Sequence, residues 1–141
     1  MRIKIAVITA AVATLGGLWL LWPTVSEPVT ETTPGGPMVT VTLPASLSTR
    51  EKMGETAFNA SCADCHGTNG AGRDGIAPPL IHKIYEPGHH GDISFERAAL
   101  YGVKSHHWTF GDMAPVKGLT AADIGTIVAY VRAVQRANGI N

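Results

Sequence analysis

Near its middle the chain reads Cys62-Ala63-Asp64-Cys65-His66, and these are its only two cysteines. C-x-x-C-H is the attachment signature of a c-type haem. Two thiols at this spacing can each add to one vinyl group of the same porphyrin. The next residue then lies beneath the iron and offers an imidazole nitrogen as proximal ligand. The competing readings are a disulfide, half of a zinc site and a thioredoxin-like redox pair. A zinc site wants two further ligands, usually a second C-x-x-C or paired histidines. A redox pair wants a βαβ context, and no such pattern is visible.

The rest of the composition suits a small haem domain. With 141 residues there is room for one domain and an appendage. The formal net charge is zero, and from residue 48 onward nine Lys/Arg still face nine Asp/Glu. Charge therefore gives no case for nucleic acid or for acidic substrates. Gly and Pro are abundant and long alternating runs are absent, which points to an all-α domain wrapped by loops. A buried porphyrin would supply the apolar bulk that so small a domain lacks.

Upstream of the motif the chain divides into an anchor and a tether. No charged residue occurs from Ile5 to Trp22, a run long enough for a membrane span and long for a signal peptide. Trp19 and Trp22 fall at its end, where indole rings favour the headgroup level. No small-x-small cleavage site is evident after it, so an uncleaved transmembrane anchor over 1–22 is expected rather than a removed signal. Arg2 and Lys4 before the span, with Glu27 and Glu31 after it, put the N-terminus inside and the remainder outside. Haem attachment also belongs outside the cytoplasm. Residues 23–47 carry five prolines and read as a semi-extended Pro/Thr-rich linker that does not pack. Within it, 38–43 alternates like a short strand, and a strand or a segment lying on the domain surface are equally open.

The globular domain is expected over 48–141. Ser48 and Glu51 form a capping box for a helix of about 49–60, on which Gly54 and Phe58 share a face. Glycines make 67–75 a loop, and prolines keep 76–91 irregular. Asp92 is expected to cap a helix over 93–101, ended by Gly102. Thr120 and Asp123 open the longest helix of this domain, to about Ala137, with Ile124, Ile127, Val128, Val131 and Val134 on its apolar face. Asn138-Gly139 stops it.

This order resembles the class I c-type cytochromes, the small monohaem electron carriers, over about residues 48–137. Gly54 and Phe58 match the family's N-terminal helix, and Tyr130 matches the aromatic that packs against it. Ala77-Pro78-Pro79-Leu80 matches the family's Gly/Ala-Pro-x-Leu segment. The resemblance implies that the Pro78 carbonyl orients the proximal imidazole and that Leu80 belongs to the haem environment. Met113, before Pro115, matches the distal methionine. Its interval from His66 is short, as in compact bacterial members. The resemblance as a whole implies a cytochrome c fold, with three to four helices around one covalent haem c and iron between His66 and Met113.

The residues themselves support part of this. Met113 sits in a loop just ahead of the last helix, where ligation is favoured over core packing. Trp108 and Phe110 are expected to wall the haem pocket. His82, His89, His90, His106 and His107 are read as exposed loop residues whose adjacent side chains diverge, not as a tight metal site. Copper or zinc is the alternative, and His106 or His107 as distal ligand a rarer one. The expected function is one-electron transfer at the outer, periplasmic face of the cytoplasmic membrane, with no catalytic group, nucleic acid or small-molecule substrate. Its partners would be redox proteins of a respiratory, oxidase or dehydrogenase system. A haem subunit of such a complex is the alternative.

Overall fold

The computed structural model describes residues 33–141. The expected span over 5–22 and the first part of the linker lie outside the described residues. Among the described residues no helix is long and apolar enough to cross a membrane.

The domain is all-helical: α1 (Thr49–Ser61), α2 (Ala63–His66), α3 (Asp92–Tyr101) and α4 (Ala121–Ala137), with single 3₁₀ turns at Thr68–Gly70 and Lys83–Tyr85. The caps explain where α1 and α4 begin. Ser48 Oγ accepts from Glu51 N at 3.3 Å while Glu51 Oε2 accepts from Ser48 N at 2.7 Å. Thr120 and Asp123 repeat the exchange at 3.2 and 2.9 Å. Each box satisfies amide donors that a helix start leaves free. Helix α4 ends through two bonds, Gly139 N to Arg136 O and Ile140 N to Gln135 O, the pair that defines a Schellman motif. The start of α3 corrects the sequence reading: Gly91 is the N-cap and Asp92 the first helical residue, with no side-chain cap bond. The Asp92 carboxylate is engaged elsewhere, by Arg132.

Helices α1 and α4 make the core. Phe58, Ile127, Tyr130, Val131 and Val134 are buried there together with Ile81, and each such side chain contributes about 1.5–3 kcal/mol relative to exposure. The Phe58 and Tyr130 rings meet at 5.6 Å, tilted by 52°. Gly54 allows the approach: a Cβ there would lie 1.9 Å from the Thr126 carbonyl oxygen. The last turn of α4 is tied to the first turn of α1 by Arg136 Nη2, 3.1 Å from Glu51 Oε1.

Residues 33–47 form no strand and lie on the domain, the second of the two outcomes open for 38–43, whereas the linker as a whole was expected not to pack. Met38 N and Val39 N donate to Ala71 O at 3.0 and 3.2 Å. The Asn138 side chain pairs with both backbone groups of Thr42 at 2.9 and 2.8 Å. Val39, Val41 and Leu47 pack against the core.

Candidate haem-binding site

Helix α1 delivers the motif. Its C-cap is Cys62, whose N–H donates to Phe58 O at 2.8 Å, and α2 follows at once. Cys62 is half-buried, Cys65 is exposed, and the two are not joined in a disulfide. Burial, and then the neighbouring Cys65, push the Cys62 thiol up to about 11. Both sulfurs are thus free for thioether formation. His66 closes α2 and is 9% exposed. Its Nδ1 lies 2.9 Å from the Pro78 carbonyl oxygen. A carbonyl only accepts, so Nδ1 carries the proton and Nε2 keeps its lone pair. Burial lowers the His66 pKa and the bond to Pro78 partly opposes this. The outcome is a neutral imidazole, oriented, with one nitrogen free for a metal.

The loop after the motif sets Pro78. Gly72 N donates to His66 O at 2.7 Å, Arg73 N to Ala77 O at 2.9 Å, and Leu80 N to Gly70 O at 2.8 Å. Leu80 packs against the core cluster, and its carbonyl accepts from Gln135 Nε2 at 2.8 Å. Tyr130 OH donates to Asn69 Oδ1 at 3.0 Å, which pins the same loop to α4. Burial, with the charge of Glu55 second, raises that phenol to about 12.

Met113 belongs to a second loop, closed by reciprocal bonds between Val103 and Met113, both 2.9 Å. Gly102, at φ +78°, lets the loop shut, because a Cβ there would meet Met113 O at 2.5 Å. Met113 is half-buried. Trp108, also half-buried, stacks on Phe110 (5.8 Å, 13°) and meets His82 edge-on at 5.3 Å. Its indole Nε1 is buried without an acceptor. Burial pushes the nearby Tyr85 phenol up, and Trp108 partly opposes this. Among the described residues no hydrogen bond joins this loop to His66.

The residues present fit a haem: two unpaired thiols at the required spacing, a buried neutral imidazole with one free nitrogen, a half-buried thioether on a separate loop, and a buried indole N–H that lacks a protein acceptor.

Two polar residues of α4 escape the sequence reading, and three histidines converge as its copper-or-zinc alternative allowed, not diverging as it favoured. Arg132 and Gln135 are both buried, at 7% and 0% exposed. Arg132 Nε binds Asp92 Oδ1 at 2.8 Å, Nη1 binds Tyr85 O and Gln135 Oε1, each at 2.6 Å, and Nη2 binds His90 O. The guanidinium lies 4.8 Å over the Phe95 ring. It thereby ties down the 86–90 segment between the Lys83–Tyr85 turn and α3. The signal was present: Arg132 stands four residues after Val128, on the edge of an otherwise apolar stripe. His82 caps the Lys83–Tyr85 turn, accepting from Ile84 N at 3.2 Å. His89, His90 and His107 do not diverge; one ring nitrogen of each lies within 4.8 Å of the others.

The family model for cytochrome c matches residues 52–135. The match takes in most of α1, the C-x-x-C-H motif, Pro78, Met113 and nearly all of α4, and the chain belongs to the cytochrome c family. It is a haem-based electron-transfer protein with covalently bound haem c, and the spacing of Cys62 and Cys65 fits that attachment. Among curated proteins no significant match to the chain is found.

Proposed function

We propose that the chain is a class I, compact bacterial-type monohaem electron carrier, held at the cytoplasmic membrane by residues 5–22 with its haem domain on the periplasmic side. Cys62 and Cys65 attach the porphyrin, and His66 Nε2 and Met113 Sδ are the axial ligands. The observation that carries this reading is the His66–Pro78 bond, which fixes a neutral tautomer with Nε2 free. The haem supplies the one-electron ferrous/ferric couple. The chain's part is to orient the imidazole through Pro78, to keep it neutral by burial, and to wall off water with Leu80, Trp108 and the Met113 loop. A thioether as second ligand favours the ferrous state and leaves no open position for a substrate. Redox proteins are the partners this chemistry requires, whether met in diffusion or within an oxidase or dehydrogenase complex.

Covalent attachment is tested on the denatured holoprotein. Colour should stay with the polypeptide in acidified organic solvent, and Cys62→Ser with Cys65→Ser should abolish it; extraction of haem from the wild type would contradict the assignment. Anchoring is tested by a high-salt wash of membranes from cells making the full chain. The protein should stay with the membrane and keep an N-terminus at or near Met1. A processed N-terminus beyond Trp22 without a lipid would mean a cleaved signal.

A further inference from the structure

We propose that His89, His90 and His107 form a second metal site, a three-imidazole set for a divalent first-row transition ion, with Cu²⁺ preferred over Zn²⁺. The observation is the closeness and mutual inclination of three rings drawn from two loops. One ring nitrogen of each lies within 4.8 Å of the others. His89 Nε2 and His107 Nε2 are 3.3 Å apart. Two imidazole nitrogens bound to one tetrahedral ion at about 2.0–2.1 Å stand about 3.3–3.4 Å apart, so this pair is already spaced as two ligands. A hydrogen bond between the two rings would account for the pair but not for the third ring beside it. The rings are inclined at 74° (His89 and His90), 70° (His90 and His107) and 55° (His89 and His107) and are not stacked on one another.

The backbone holds this arrangement. Glu86 O accepts from both His89 N and His90 N, at 3.0 and 2.8 Å. Arg132 grips the His90 carbonyl from α4. His90 Nδ1 lies 2.7 Å from Ile84 O. Its proton therefore sits on Nδ1 and its lone pair on Nε2, the carbonyl-oriented state in which metal-bound imidazoles are usually found. His107 comes from the loop that the Val103–Met113 pair closes. His89 and His107 are exposed and His90 is half-buried, so an ion can enter and water can fill a remaining position. An all-imidazole set suits copper and zinc, and the divalent affinity order puts copper first. His106 is left out because it lies outside the close trio.

The test uses the full-length ferric holoprotein, untagged and stripped with a chelator, titrated with CuCl₂ and separately with ZnCl₂. The expected result is one equivalent of Cu²⁺ per chain with nitrogen hyperfine structure in its electron paramagnetic resonance spectrum, and weaker Zn²⁺ binding at the same stoichiometry. His89→Ala and His107→Ala should each weaken binding by roughly a hundredfold with the haem spectrum unchanged, which shows the fold intact. His106→Ala should change it little. Binding below one equivalent, affinity unaltered in His89→Ala and His107→Ala, or an equal loss in His106→Ala would overturn the site. The copper stoichiometry and its resonance spectrum do not depend on the assignment of the haem ligands.

Discussion

Arg132 does at one position what several loop residues would otherwise have to do. It is buried, yet its ion-pair partner Asp92 is largely exposed, with 72% of its side chain in solvent. The charge is therefore satisfied mainly by carbonyls and by Gln135. Removing the arginine strands those acceptors, whereas neutralising Asp92 leaves them served. Arg132→Ala should destabilise the holoprotein by about 2–4 kcal/mol in chemical denaturation, and Asp92→Asn by no more than about 1 kcal/mol. Equal effects would mean that the exposed ion pair, not the carbonyl grip, is what matters. The residue scale is also where the sequence was least informative. Pro78 could be placed against His66 only by resemblance, because the bond spans a loop whose course depends on glycine turns and distant amides. Arg132 and Gln135 were passed over for the same reason, since their partners lie far away in the chain, and the histidines were weighed as a copper or zinc site only as the alternative to exposed, diverging side chains.

Helix ends were more legible, because a cap is a local contract between residues three apart. Both capping boxes written as Ser48/Glu51 and Thr120/Asp123 occur in the structure; at α3 the same reasoning misplaced Asp92 by one position, since a distant arginine outbids the local amides. Ser48→Ala should cost about 1 kcal/mol. The cap carboxylates also set a pH dependence. Glu51 is held below its ordinary value by hydrogen bonds from Ser48, then by Arg136, and Asp123 by hydrogen bonds from Thr120. A carboxylate with a depressed folded pKa contributes stability that is complete above its ordinary value and lost as pH falls through its folded one. Stability should therefore decline on acidification below the ordinary values of 4.5 and 3.8, and Glu51→Gln with Asp123→Asn should flatten that decline in denaturation measured across the acid range. Two helical glycines give a sharper contrast. Gly54→Ala would drive a Cβ into the Thr126 carbonyl and should cost about 2–3 kcal/mol despite better helix propensity. Gly125→Ala would meet only the flexible end of Arg50 at 3.1 Å and should be neutral or stabilising by up to about 1 kcal/mol. Thermal melts of the two variants separate a packing role from a propensity effect.

For the molecule as a whole, the α1–α4 frame and the position of the motif followed from capping, apolar periodicity and five residues of sequence. The packing of residues 33–47 followed only as one of two open outcomes for 38–43, because proline-rich composition reports local stiffness and says nothing of Asn138 pairing with Thr42. The last stretch before the domain is thus part of its surface, and Asn138→Ala should loosen it, seen as faster amide exchange at Thr42. The two histidine-bearing loops meet on the domain, and one of them also carries Met113. The closed-site electron transfer proposed above would depend on that loop, since a thioether bound from it would close the iron to exogenous ligands. The most direct measurement is the spectrum of the purified protein, with and without carbon monoxide at neutral pH. His66/Met113 ligation predicts a weak far-red sulfur-to-iron band in the ferric wild type and poor carbon monoxide binding in the ferrous form. Met113→Ala should lose the band, bind carbon monoxide readily and have a lower potential, while Met53→Ala, altered at an exposed methionine of α1, should match the wild type. Ready carbon monoxide binding by the wild type, or a Met113→Ala spectrum identical to it, would contradict His66/Met113 ligation and with it the reading of this protein as a closed-site electron carrier.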